Sequence, residues 1–465
     1  MRTTLALVPA VALTFAAVAA SAAVAGSEGP GSRTPALWRT DGYGTVLALT
    51  EDGLQEYQTT AVSCVKGDFA ARSGPGTYTA GGSVLTVRPG SDGDHATLAA
   101  DSSVGHRQLH RVAALPTACA HPLPADDPRA AFDVFWQSFE ENYPFFAAKG
   151  VNWQAVRDRY RPQVHADTTR DELFALFSRM VKPLHDAHVV VQDGDRYYGV
   201  GRPGTEIPSE ELDDKARKFV IARDLKGASP VQEFAAGRII YADLPDTGEA
   251  GPLGYLRIST FSGYDPDDHS YAADLTELDR ALTAVLTPDR TRHLRGLVID
   301  LRVNGGGADS LGIHIAERLT DTPYVAYAKR ARNDPADPTR FTRPEPIRVN
   351  PAAGVPRYTG PLALLTGGST VSAGETFTQA LIDRPGRTVR IGQATQGVFS
   401  DTMARRLPNG MVAWLPNEEF LTRTGRTFDG TGIPPQLTEP VFTKEEFAKN
   451  RDSAFDRAVN VLRRS

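Results

Sequence analysis

The sequence predicts an α/β protein: a mostly parallel-sheet core, entered through a helical segment and preceded by a small all-β domain. Three observations carry this. From residue 254 onward short apolar runs alternate with helix-period stretches: GYLRI (254–258), SYAADLTELDRALTAVL (270–286), RGLVIDLR (295–302), GADSLGIHIAERL (307–319), PLALLT (361–366) and TVRIGQ (388–393). Alternation of this kind argues for helices layered on a parallel sheet. Upstream, Phe132, Phe135, Trp136 and Phe139 recur at spacings of three and four, which is helical. Further upstream still, residues 36–118 hold only short β runs separated by Gly, Asp and Pro turns. A chain of 465 residues exceeds what one hydrophobic core serves, so two or three domains are expected.

Taken in order, Arg2 is followed by an Ala/Val/Leu-rich run to Ala20 and by the small residues Ala23-Val24-Ala25. This reads as a secretory signal peptide over 1–25, cut near Ala25; the competing reading is an uncleaved anchor, against which the small residues argue. No second stretch is apolar enough to span a bilayer. The expectation is a secreted or extracytoplasmic protein with no stable membrane insertion after cleavage. Export permits a disulfide, and Cys64 and Cys119 are expected to pair, two buried free thiols being the alternative. Two cysteines exclude a zinc site built on thiolates. The net charge of −5 comes without any basic block, which argues against nucleic acid or an anionic membrane as partner.

Within 36–120, TVLAL (45–49), LQEY (54–57), SVLTV (83–87), ATLAA (96–100) and HRQLHRV (106–112) read as strands of a small antiparallel barrel or sandwich. No cluster of chemical residues falls there, so an accessory or binding module is expected. PLPADDP (122–128) is a linker. Across 127–183 a first helix breaks at ENYPFF and a second resumes at VNWQAVRDRY, with Asn152 as cap. A third opens on a Thr169/Glu172 capping box and carries Leu173, Leu176, Phe177 and Met180 on one face. The α/β core then runs over 184–440. Residues 195–253 are turn-rich and yield no element. Thr443 to Glu446 form a second capping box, opening a final amphipathic helix over 443–465 that packs on the core.

The chemistry centres on PLALLTGGSTVSAGETFTQA (361–380). Ser372 sits where a strand hands over to a helix, so its hydroxyl is exposed beside the unpaired N–H groups of a first turn. That suits an acyl-transfer nucleophile, because backbone donors meet the developing oxyanion; the plain alternative is that Ser369, Thr370 and Ser372 cap a helix. DLRVNGGGAD (300–309) passes through three glycines, which free N–H groups for an oxyanion or simply make a tight turn. A nucleotide cradle is disfavoured, since Ser310 stands where a third fingerprint glycine belongs and no GKS or GKT occurs. In LHDAHVVV (184–191), His185 and His188 flank Asp186; zinc ligation and a turn histidine are both compatible with so unspecific a spacing. Asp429 precedes Gly430 in a turn context, and YDPDDHSY (264–271) lacks the glycine and terminal glutamate of a calcium loop. Nothing calls for a cofactor.

Together, LHDAH, GYLRI, VIDLRVNGGG, LLTGGSTVSAGE, IGQATQGVFSD, LPNGMVAWLPNEEF and DGTGIPP stand in the order found in the tail-specific (C-terminal-processing) protease family of serine peptidases. The chain resembles that family over about 127–440, and within it the branch of the tricorn protease core and the retinoid-binding repeats. The resemblance implies a protease core of crotonase-like ββα layers and a peptide or protein substrate. It implies Ser372 as nucleophile, the N–H groups of Gly306 and Ala373 as oxyanion hole, and Glu375 as a supporting carboxylate. Val398 stands at the lysine of the Ser–Lys branch and cannot take a proton. The histidine of the tricorn-like branch corresponds to His188, with Ala187 where a serine is usual. Asp429 stands in place of the branch's glutamate. The spacer from His188 to Gly254 is too short and turn-rich for an inserted PDZ domain. A non-catalytic binder of an apolar ligand or peptide on the same scaffold is the rival reading, and an ester hydrolase with the same triad is a third.

Overall fold

The structure, a computed structural model, describes residues 35–245 and 251–464; the expected leader over 1–25 lies outside them. Among the described residues no helix is long and apolar enough to cross a membrane.

Residues 36–112 close into an eight-stranded antiparallel barrel, the first strand (Ala36–Thr40) pairing with the last (Arg107–Val112) through Leu37↔Val112 and Thr40↔Leu109. Inward side chains fill it: Trp38, Leu47, Leu54, Tyr78, Leu85, Leu98 and Leu109. Three strands were not legible in the chain, among them the twelve-residue Ser63–Gly74, whose mixed polar pattern hides its pairing. Cys64 on that strand is joined to Cys119, with Cα atoms 4.7 Å apart.

The barrel is bolted to the remainder of the molecule. Gln58 donates to the Ala404 carbonyl at 2.9 Å and accepts from the Arg406 amide at 2.8 Å, mimicking a neighbouring strand along the edge of Thr402–Arg406. The Glu141 carboxylate accepts from the Ala61 amide at 2.7 Å. Arg406 pairs with Asp68, and Arg405 reaches the carbonyls of Tyr43 and Gly44.

Three longer helices and the single turn Phe146–Lys149 come next. Pro128–Asn142 starts on Asp127 with proline in its first turn, Trp153–Tyr160 on Asn152, and Arg170–Val181 on the reciprocal Thr169/Glu172 box. Their apolar faces interlock, Phe135 stacking on Phe177 at 4.0 Å, and rest on a four-stranded antiparallel sheet through Val191, Ala413 and Leu415. That sheet runs Arg196–Gly199, Val190–Asp193, Val412–Pro416, Thr402–Arg406.

The central sheet has seven strands, in the order Gln232–Phe234, Ile239–Asp243, Leu253–Ile258, Gly296–Asp300, Leu362–Thr366, Thr388–Gly392, Leu437–Thr438. The last five are mutually parallel and the first two antiparallel. Gly296–Asp300 and Leu362–Thr366 are buried along their whole length because helices cover both faces. Tyr271–Val285, Asp309–Glu317 and Ala373–Ala380 pack on one side, and Ser453–Arg463 on the other. Parallel pairing therefore dominates one sheet, while the four-stranded sheet and a three-stranded one (Glu345–Val349, Tyr324–Ala331, Glu418–Leu421) are antiparallel.

Two expectations need correcting. The single final helix is two, Lys444–Ala448 and Ser453–Arg463. Asn450 turns left-handed (φ 48°) between them, and Asp452 caps the second by accepting from the Phe455 amide at 2.9 Å. The unread stretch 195–253 contains a helix, Glu210–Phe219, whose apolar stripe is only three residues, Leu212, Ala216 and Phe219, in an otherwise charged sequence.

Candidate active site

Ser372 sits directly between a two-residue strand, Ser369–Thr370, and the Ala373–Ala380 helix. Its backbone is held at φ 55°, ψ −122°, a region that a residue with a side chain occupies only when its surroundings impose it. The surroundings here are specific. The Ser372 amide donates to the Val398 carbonyl at 3.1 Å and faces the Glu375 carboxylate at 3.3 Å. Glu375, fully buried, also accepts from the amides of Gly397 (2.6 Å) and Val398 (2.9 Å). Burial pushes its carboxyl up to about 8, against the pull of the Thr395 hydroxyl and the three amides. Glu375 thus clamps the 397–398 loop to the Ser372 turn.

The glycine loop abuts the same turn. A Cβ on Gly306 would fall 2.6 Å from the Ser372 Cβ, and its φ of 81° independently demands glycine. Asn304 fixes this approach. Its amide donates to the Ile258 carbonyl at 2.8 Å, and its Oδ1 accepts from the Gly306 N–H at 2.9 Å. Of the two expected oxyanion donors, then, the Gly306 N–H is engaged by Asn304. The Ala373 N–H, in the first turn of the helix, has no acceptor among the described residues.

His188 approaches from the helical segment. Its amide donates to Asp186 Oδ1 at 2.9 Å, and Asp186 Oδ2 accepts from the Tyr143 hydroxyl at 2.8 Å. The imidazole is 5% exposed, and neither of its ring nitrogens has a hydrogen-bond partner. Burial holds its pKa below the ordinary value, opposed by the charges of Asp186 and Asp401 and by the Ser400 backbone. Ala187 packs with Val371 and Val398 in one small apolar cluster, which joins the histidine segment to the serine turn. His188, Ala187, Gly305 and Val371 all line one cavity of about 830 Å³, together with Ser259 and Thr260.

Asp429 is buried, with Oδ2 accepting from the Thr427 hydroxyl at 2.5 Å and Oδ1 from the Phe399 amide at 3.2 Å. Burial drives its carboxyl well above the ordinary range, with Asp186 and Glu375 adding to the effect. The structure brings the segments of Ser372, Gly306, Ala373 and Glu375 into one turn. It sets His188 on the cavity beside them, and makes no hydrogen bond from His188 to Ser372 or Asp429. Residues not singled out in the sequence also take part. Asn304, Asp186 and Asp401 sit inside the quoted motifs, and each also has a partner far along the chain: Ile258, Tyr143 and Ser103.

Comparison with known proteins matches residues 252–438 to peptidase family S41 and residues 124–182 to the tricorn protease C1 domain. Among curated relatives, the carboxyl-terminal-processing protease of Picosynechococcus is 26% identical over 227 residues, 49% of this chain and 46% of that protein. Carboxyl-terminal-processing peptidase 2, chloroplastic, of Arabidopsis thaliana is 23% identical over 236 residues, 50% of this chain and 40% of that protein. The chain thus spans less than half the length of these relatives. A crystal structure from Parabacteroides merdae shares the fold with a TM-score of 0.58 and 23% identity, covering 72% of this chain and 96% of that one. One matched segment holds the five parallel strands of the central sheet with Ser372 and is similar to peptidase family S41, and the other, similar to the tricorn protease C1 domain, is the helical entry that leads to His188.

Proposed function

We propose that the chain is a secreted serine peptidase in which Ser372 attacks a peptide carbonyl and His188 takes the serine proton. The tetrahedral oxyanion meets the Ala373 N–H, joined by the Gly306 N–H once Asn304 releases it. Collapse returns the proton from His188 to the leaving amine. Water, deprotonated by the same imidazole, then frees the acyl group from Ser372. Asp429, at the position of the branch's glutamate, reaches His188 on this reading only when it gives up Thr427. The observation that carries the proposal is the Ser372 turn: a strained serine, a glycine pressed against its Cβ and an unclaimed helix-start N–H converge on one point. The Ala-rich leader over 1–25 supports export.

The test is labelling by a fluorophosphonate together with turnover of a casein-type protein substrate. S372A is expected to lose both while keeping the wild-type melting curve. Labelling of S372A at the wild-type rate moves the nucleophile elsewhere and sinks the proposal.

One observation favours a second reading, a non-catalytic binder on the same scaffold: both ring nitrogens of His188 lack partners beside a sizeable cavity. Wild-type protein that resists labelling yet binds a fluorescent fatty acid or an unstructured peptide would establish it.

A further inference from the structure

The four-stranded sheet has a face that the helices do not cover. Ala413 and Leu415 enter the helical core, so Trp414 between them points the other way, by the alternation of a strand. It lines the cavity, half-buried, and among the described residues it joins none of the apolar cores. Its register partners are Val190 on one side and Ala404 on the other, both smaller than an indole, so the ring stands above them. The polar edge of the ring is satisfied: its N–H donates to Gln192 Oε1 at 2.9 Å, and Gln192 donates to the Tyr197 hydroxyl at 3.0 Å. What Trp414 offers the cavity is a fixed apolar face. Val190 follows His188 by two residues, a span of at most about 7 Å, and both line the same cavity.

The glycine loop leaves room at the serine end. Gly306 and Gly307 are glycines for internal reasons: their φ angles are 81° and 134°, and added Cβ atoms would fall 2.6 Å from the Ser372 Cβ and 2.3 Å from the Phe261 carbonyl oxygen. Gly305 has neither reason. Its φ is outside the left-handed region, and no described atom lies within 4 Å of where its Cβ would stand, yet it too lines the cavity. Its missing side chain leaves space beside the nucleophile's turn. Resting on the serine-peptidase reading, we propose that Trp414 and Gly305 shape a subsite for a large apolar side chain, aromatic above all, on a residue flanking the scissile bond. Trp414 determines specificity as the face against which that side chain lies, in offset or edge-to-face contact where it is a ring. Gly305 is the gap that admits it. Ala187 and Val371 carry the apolar lining on to Ser372.

The test uses the full chain. Cleavage sites in casein, mapped by mass spectrometry, are expected to carry Phe, Tyr, Trp or Leu at one of the two positions flanking the cut. A quenched fluorescent peptide built on one such site is then compared with a twin in which that residue is Ala. The wild type is expected to favour the large residue in kcat/KM by about 10–100-fold, the worth of burying one such side chain. W414A is expected to cut that preference to about threefold or less by removing the face, and G305V to cut it similarly by filling the gap. The ratio cancels any general loss of activity, so a variant that merely weakens the site leaves it unchanged. Cut sites without such residues, or a wild-type ratio kept in both variants, overturn the inference while the peptidase reading stands. Should W414A not fold, the ratio in G305V decides. Wild-type protein that neither cleaves casein nor takes the fluorophosphonate removes the underlying reading, and the subsite falls with it.

Discussion

The serine turn and the histidine segment are built to different standards. Around Ser372 the turn is held from several sides and only the Ala373 N–H is left open: Glu375 gathers three amides, Asn304 holds the glycine loop, and the backbone is fixed in a conformation it would not choose alone. Around His188 the amide is anchored to Asp186 but the ring nitrogens are left open. A buried polar group without a partner costs on the order of 1–3 kcal/mol, so a fold keeps one where another molecule can supply the bond. The nucleophile half is preassembled and the proton-transfer half waits for what enters the cavity.

That contrast can be broken by substitution. G306A should do most damage, since its methyl group meets the Ser372 Cβ at 2.6 Å; a loss of labelling of about 10²–10³-fold, the scale of a lost oxyanion donor, is expected. H188A should leave the turn intact and slow labelling by about 10²-fold, the lower end of general-base effects, with an unchanged melting curve; a rate within twofold of wild type would show the imidazole idle. The smallest effect is expected from E375Q in a comparison of stability against pH. Glu375 has its folded pKa raised, so the folded state holds the proton longer than the unfolded one. Its contribution then declines as pH rises from about 4.5 to about 8. Thermal melts across that window should show a shallower fall for E375Q than for wild type, and parallel curves would mean the carboxylate is ionised throughout.

Local features were readable where a side chain acts on its own backbone. The Asn152 and Thr169/Glu172 caps are set within four residues, as is the handover at Ser372. The break at Asn450 escaped because Phe447, Phe455, Val459 and Leu462 keep helical spacing across it. Glu210–Phe219 escaped because only Ala216 within it is buried. In the site, Gly306 and Glu375 were legible through their motifs. Ser103 was not, since its only significance is a contact with a carboxylate 298 positions away, and no local pattern records such a distance.

Gln58 carries a consequence for how copies of this chain behave in solution. Sheet margins with free amide and carbonyl groups invite another chain to zip on and seed aggregates. A single carboxamide from the barrel occupies the margin at Ala404 and Arg406, so that border is denied to strangers without a further strand being built.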